Sequence, residues 1–328
     1  MHCSYRRLEV CFLARHHIPC LQQCVGRCLL QVRSDRQSII ICHAENLESY
    51  DLDIERHAFL KDAPMPMYNP CVCVVDNFLY CCGGKYDSNE NNEIATARCF
   101  RYDPRFDSWY EMSSMNEARK DFCMVALGDR LYAVAGQDEN MVMCTVECFS
   151  VRSNEWEMCL SLGHAVYGHA ATVCDDNERV YISGGQKYDG YCNSVLSYDT
   201  RRNTWCDESQ LLSARSNHNM AHVGGFLYVL GGNVEDAYGF PVPVTSIERY
   251  DPSTRTWTMC KATLNIREAG SCVYKGLIYV VGGINGQHYY SDIIQKFDPH
   301  LGTVFYVDKF PTRVYGRACC ILTLPQYL

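Results

Sequence analysis

The chain has 328 residues, of which 47% are hydrophobic and 21% charged, a globular composition that excludes a disordered polymer. No uninterrupted apolar run approaches the ~20 residues that a membrane helix needs, so no membrane partner is expected. A formal charge of −8 argues against broad phosphate binding, and nucleic acid is not an expected partner either.

Residues 1–35 carry no repeat and are left unassigned. The start, MHCSYRRLEVCFLARHHIPC, is basic, but Arg15, His16 and His17 interrupt the apolar core that a signal peptide requires. Cys20, Cys24 and Cys28 would share one face of a helix, yet no CxxC occurs in the chain, so a short helix or frayed leader is expected there and not a zinc site.

From residue 36 onward the chain repeats itself. The first unit is worn: Tyr50 is followed by His57, and His43-Ala44 stands where later units carry glycines. Five clear units follow, each with a short β-type run ending in glycine: FLYCCGG, RLYAVAG, RVYISGG, FLYVLGG and LIYVVGG. Their second glycines are Gly84, Gly136, Gly185, Gly232 and Gly283, a period near 50 residues. After each pair comes an aromatic residue and, in four units, a tryptophan seven positions later. All 4 tryptophans of the chain fall in that slot, at Trp109, Trp156, Trp205 and Trp257. Val304 occupies it in the last unit, after Phe297. Turn residues divide each unit into four short strands. The final stretch, PTRVYGRACCILTL, matches only the opening strand of a further unit. The 22 cysteines lie mostly inside apolar runs, as in PCVCVV and LYCCGG, and read as reduced, buried small hydrophobes. A reducing, cytoplasmic location is expected.

The glycine pair, aromatic turn and tryptophan together resemble the kelch repeat, and the resemblance covers about 290 of the 328 residues. It implies an all-β domain over residues 36–328, a six-bladed kelch β-propeller. Its first blade is degenerate and is completed by the C-terminal strand, which removes an exposed sheet edge. The resemblance also puts each Trp on an outer strand, packing toward the glycine pair and the neighbouring blade.

Catalytic signatures are absent from the sequence: there is no GxSxG, HExxH or P-loop pattern. No catalytic residue, metal or cofactor is expected. His218 with His222, and Cys71 with Cys73, share strand faces that could converge on the axis. A copper oxidase built from kelch blades is the enzyme reading to weigh, but that family uses seven blades and gathers its His and Tyr ligands at one end. An arginine column about thirteen positions before the repeat Tyr holds Arg119, Arg215, Arg267 and Arg313, with Tyr167 and Met67 in other blades. Recurrence in register argues for packing and inter-blade hydrogen bonds.

Function is expected where the blades differ. One variable loop follows each glycine pair, beginning at Lys85, Gln137, Gln186, Asn233 and Ile284. A second class lies just before each inner strand: Asn69, Asp121, His169, Asn217, Ala269 and Tyr315. In kelch-like adaptors these two classes crowd one face and hold the partner. The candidate partner-binding set is therefore Lys85, Tyr86, Asp87, Asp121, Gln137, Asp138, His169, Gln186, Tyr188, Asn217, Asn233, Asp236, Tyr238, Asn285, His288, Tyr289 and Tyr315. Acidic residues in the glycine loops, among them Glu90, Glu93, Glu139, Asp189 and Glu235, outnumber Lys85 and Lys187, which points to a partner with a basic docking peptide.

The sequence is most similar to the kelch-like substrate adaptors of cullin-RING ubiquitin ligases. The resemblance implies a non-catalytic protein-binding platform, the substrate-recognition module of such an adaptor. The BTB and BACK domains that bind the cullin in those proteins do not fit in 35 residues, so cullin contact is expected only through domains this chain lacks. The alternative is a cytoskeletal, actin-binding kelch scaffold.

Overall fold

The structure, a computed structural model, describes residues 35–44, 46–87, 93–174, 178–314, 316 and 318–325, without the side chains of Asp87 and Glu93. Residues 1–34 of the unassigned segment 1–35, with its three spaced cysteines, lie outside the described residues, as do Glu90 and Tyr315.

Six four-stranded antiparallel sheets make up the domain. Blade 2 is typical: its strands run outward in chain order as Cys71–Val75, Phe78–Cys82, Cys99–Asp103 and Ser108–Met112. The second strand of each blade is sandwiched between neighbouring sheets, which explains why it reads as a continuous apolar run and not as an alternation. Leu79, Tyr80, Cys81 and Cys82 are all buried. Inner strands touch in a closed cycle, passing from Cys71–Val75 to Cys123–Leu127, Ala170–Cys174, Asn219–Val223, Gly270–Tyr274 and Cys319–Leu324, then back to the first. Each of six buried clusters bridges two adjacent blades. Among the described residues no helix is long and apolar enough to cross a membrane.

Blade 1 is closed by the C-terminal strand, as expected. Arg36–His43 pairs with Asn46–Asp51 on one side and with Cys319–Leu324 on the other, in a register from Ile41↔Cys319 to Arg36↔Leu324. Blade 2 holds the closing strand in place: Asn77 donates from Nδ2 to the Thr323 carbonyl and accepts the Thr323 N–H, both at 2.8 Å.

The tryptophans sit on outer strands and reach the neighbouring blade, as expected, but their rings lie on an aromatic residue and not on the glycine pair. Trp109, Trp156, Trp205 and Trp257 stack against their own blade's repeat aromatic, with ring centroids 4.8–5.2 Å apart. Each indole N–H donates to a carbonyl just past the preceding blade's outer strand: Lys61, Ser113, Leu160 or Ser209. The glycine pairs lie instead against the segment that leads into the next blade. A Cβ on Gly184 would come 2.4 Å from the Arg215 carbonyl oxygen. In blade 1, His57 takes the tryptophan slot, 4.8 Å from Tyr50.

The arginine column also needs correcting. The N–H of the second glycine donates to the carbonyls of Arg119, Val166, Arg215, Ile266 and Val314 in successive blades, at 2.8–2.9 Å. The true column is therefore Arg119, Val166, Arg215, Ile266 and Val314, and Tyr167, Arg267 and Arg313 stand one residue off it. The two real arginines are fully buried and serve their own blades. Arg119 reaches Glu147 at 2.8 Å and the carbonyls of Ala135 and Thr145. Arg215 likewise holds Glu248 and the carbonyls of Gly231 and Ser246.

Deleting residues 313–328 should leave blade 1 without its inner strand and expose two sheet edges. Aggregation or a large loss of thermal stability is the expected result; a soluble, monomeric truncation with an unchanged Tm would contradict the closure. Arg119→Met alone should strand the buried Glu147 carboxylate and cost roughly 3–5 kcal/mol. Adding Glu147→Leu should recover most of that in a denaturant titration, because blade 4 already fills the same two positions with Val166 and Leu196, both buried.

Candidate functional site

Each inner strand begins, and each second strand ends, on the same face of its blade, so both loop classes emerge side by side. Backbone bridges join them: Tyr68 to Lys85, Lys120 to Gln137, Tyr167 to Gln186, Ser216 to Asn233 and Arg267 to Ile284. This face surrounds the mouth of the axial channel.

A belt of left-handed residues frames the mouth. Asn69, Asp121, Asn217 and Glu268 have φ between 51° and 54°, Gly168 has 64° and Gly316 has 105°. The N–H of Gly168 donates to the Asp121 carbonyl, Asn217 to Gly168, Glu268 to Asn217 and Gly316 to Glu268, at 2.7–3.1 Å. Asn, Asp and Gly tolerate this backbone at the lowest cost, which explains their recurrence here. The belt corrects the second loop class: Gly168 and Glu268 occupy the positions given to His169 and Ala269, and Gly316 follows Tyr315. His169 is fully buried and lines the channel wall below the mouth. A cavity of about 170 Å³ lies at the mouth, lined by Lys85, Asp121, Tyr167, Asn217 and Glu268 among others.

The histidines do not converge. His218 Nε2 lies 2.9 Å from Ser183 Oγ, and His222 Nε2 lies 3.6 Å from Cys174 Sγ, both contacts reaching into blade 4. Among the described residues no group of three or more His, Cys, Asp or Glu is placed to hold a metal ion.

The glycine loops form the rim. Lys85–Asp87, Gln186–Lys187 and Asn233–Glu235 each start a two-stranded ribbon, paired with Glu93–Ala95, Gly190–Tyr191 and Pro241–Pro243. Several expected site residues serve the scaffold. Gln137 donates to Asp121 at 2.9 Å. Asp138 accepts the N–H groups of Asn140 and Met141; Asp236 accepts those of Tyr238 and Phe240; Asn285 accepts those of Gln287 and Tyr289. Asn233 is buried and donates to the Tyr191 hydroxyl at 3.1 Å. Other members are presented outward: Tyr86 is 41% exposed, Tyr238 85% and Tyr289 62%, while Tyr188 is fully exposed. His288 adopts φ 62° at a loop tip, with Nδ1 3.3 Å from Arg267. Between the loops of blades 3 and 4 lies an open groove of about 770 Å³, lined by Gln137, Asp138, Met141, His164, Lys187 and Tyr188 among others.

Sequence reasoning did not place Lys120, Tyr167, Ser216, Arg267 and Glu268 at the mouth. Lys120 and Arg267 add positive charge to a rim expected to be more uniformly acidic. The signal was present as the Asn, Asp, Gly, Asn, Glu and Gly set of left-handed positions, which fixes the register that the arginines obscured.

Fold and face together define a kelch-type β-propeller with variable loops gathered at one end of its channel. A KLHDC2/KLHL20/DRC7 Kelch-repeats domain matches residues 121–301, and a Kelch motif matches residues 66–116. Kelch-like protein 36 of Bos taurus is 30% identical over 284 residues, covering 84% of this chain and 46% of that protein. Kelch-like protein 26 of Danio rerio is 31% identical over 279 residues, covering 84% and 46%. Kelch-like protein 15 of Homo sapiens is 30% identical over 295 residues, covering 82% and 48%. The solved structure of YjhT shares the fold, with a TM-score of 0.70 at 13% identity, covering 81% of this chain and 92% of that one. The chain belongs to the Kelch-like family, and it spans about half the length of the curated relatives it matches.

The belt predicts an asymmetry between substitutions. Asn217→Gly should be nearly neutral, whereas Asn217→Val forces a β-branched residue into left-handed backbone and should cost roughly 1–3 kcal/mol. Equal thermal melts for the two variants would contradict the strain argument.

Proposed function

We propose that the chain is a non-catalytic protein-binding platform, the substrate-recognition module of a kelch-like ubiquitin-ligase adaptor working in the cytoplasm. The observation that carries this reading is the rim itself: ribbons from several blades surround one channel mouth, and tyrosines stand exposed on a rigid scaffold. Tyr supplies large contact area and a hydroxyl at binding hot spots. The matched relatives are about twice as long as the chain, so the cullin-binding role belongs to parts beyond the matched residues. The partner contributes a basic docking peptide, with Lys or Arg over the rim carboxylates and apolar groups against the tyrosines.

Asp189 and Glu235 are the carboxylates to reverse, because Asp138 and Asp236 also hold their own loops together. Proximity labelling with the wild-type propeller identifies the partner, and binding kinetics then test the rim. Asp189→Lys with Glu235→Lys should slow association and flatten its salt dependence, each exposed pair contributing roughly 0–1 kcal/mol. Tyr238→Ala and Tyr289→Ala should speed dissociation. Unchanged kinetics in both sets would refute this face as the docking surface. Residues 36–328 alone should not bind a cullin in a two-component assay, and micromolar or tighter binding there would overturn the division of labour.

A further inference from the structure

One rim position holds an unmet hydrogen-bonding group. Asn233 follows the glycine pair of blade 5 and is only 2% exposed. Its backbone exchanges two hydrogen bonds with Ser216, both at 2.9 Å, so the residue is fixed. Its Nδ2 donates to the Tyr191 hydroxyl across the boundary with blade 4. Its Oδ1 is buried and has no hydrogen-bond partner among the described residues. A buried acceptor left unmet is costly, and native structures rarely leave one without a role.

The surroundings say what would satisfy it. Burial first, and then the nearby Glu235 carboxylate, push the Tyr191 hydroxyl above its ordinary pKa. Burial likewise raises Tyr167, which also feels Tyr191, Asp121 and Glu235. The Glu235 carboxylate is exposed and makes no ion pair among the described residues. Beside it the ribbon turns at Asp236 and presents Tyr238 and Phe240, 85% and 66% exposed. A cation, Arg267, also acts on Tyr191, and it is turned toward His288. An incoming anion would meet the Glu235 carboxylate and an unmet acceptor, both unfavourable. A planar, charged donor group suits both, since a guanidinium offers several N–H groups in one plane and stacks on aromatic faces.

We propose that Asn233, Glu235 and Tyr191 form a subsite for an arginine side chain of the docking partner, at the boundary of blades 4 and 5. This rests on the reading of the face as a docking surface. The probe is N-acetylarginine amide, titrated into the isotope-labelled chain while the Asn233 side-chain amide and its neighbours are followed by NMR. Saturable shifts at millimolar concentration are expected, with N-acetylcitrulline amide, its neutral isostere, at least tenfold weaker. Glu235→Gln should bring arginine down to the citrulline level without altering the melting temperature, and Tyr191→Phe should reduce the response at Asn233. No shift at Asn233, equal responses to arginine and citrulline, or a stronger response to N-acetylaspartate amide would each overturn the subsite. If arginine fails while the partner still depends on Tyr238 and Tyr289, only the subsite is wrong. If the partner ignores those tyrosines, the docking face is wrong and the subsite goes with it.

Discussion

The hydrogen bond from each second glycine to the carbonyl of the next blade is the constraint on which the rest depends. Five seams carry it, at Gly84, Gly136, Gly185, Gly232 and Gly283. For the bond to form, backbone must approach backbone closely, and at Gly83, beside the first of these donors, an added Cβ would lie 2.9 Å from the Arg119 carbonyl oxygen of the next blade. Close approach leaves little room for side chains at the inner end of these five seams, where Ala135 is the one non-glycine of the pairs, so the bulk moves outward to the repeat aromatic and, in four blades, its Trp. The blade is thereby wedge-shaped, and wedges close into a ring. Blade 1 lacks glycines, and its seam with blade 2 is made differently: the Met67 N–H donates to the Ala44 carbonyl at 3.2 Å.

Beneath the seam, one pair of positions in each blade takes either of two solutions. Blades 3 and 5 use Arg119 with Glu147 and Arg215 with Glu248, all four side chains fully buried. Blades 2 and 4 use Met67 with Phe100 and Val166 with Leu196. A buried charge demands its partner, whereas an apolar residue demands only volume, so the two solutions do not mix within these four blades. Blade 1 is intermediate, with Glu48 accepting from Thr312. Glu147 and Glu248 also accept backbone N–H groups, from Asn116 and Glu117 and from Leu212 and Ser213. The ion pairs thus pin the segments that lead to the channel mouth.

This arrangement separates stiffness from variation. The left-handed belt, its carbonyl chain and the glycine seams hold the mouth rigid, while the ribbons beyond vary in length, charge and aromatic content. Rigid presentation lowers the ordering cost of binding, which is what a recognition face requires. Loop-tip aspartates such as Asp236 spend their oxygens on their own turns, so the charge available to a partner is smaller than the residue count suggests.

Much of the architecture was legible in the sequence because it repeats. A glycine pair, an aromatic residue and a Trp at fixed intervals demand the same local geometry each time, and the unmatched final strand announced the closure of blade 1. The site was legible only in outline. Lys85, Gln137, Gln186, Asn233 and the exposed tyrosines stand on loops that emerge at the channel mouth, but His169 and Ala269 fell one residue away from the belt. Arg267 was drawn into a column it does not share. In both cases a shift of one residue turns a side chain from the mouth into the wall, and composition does not record that shift. The sequence by itself determined the number of blades and which loops vary, since these follow from local pattern and length. Tertiary structure alone decided that Asn233 is buried beside Tyr191 and that Arg119 faces Glu147. Those pairings join residues 42 and 28 positions apart, the first across two neighbouring blades and the second within one folded blade, and local sequence pattern records neither.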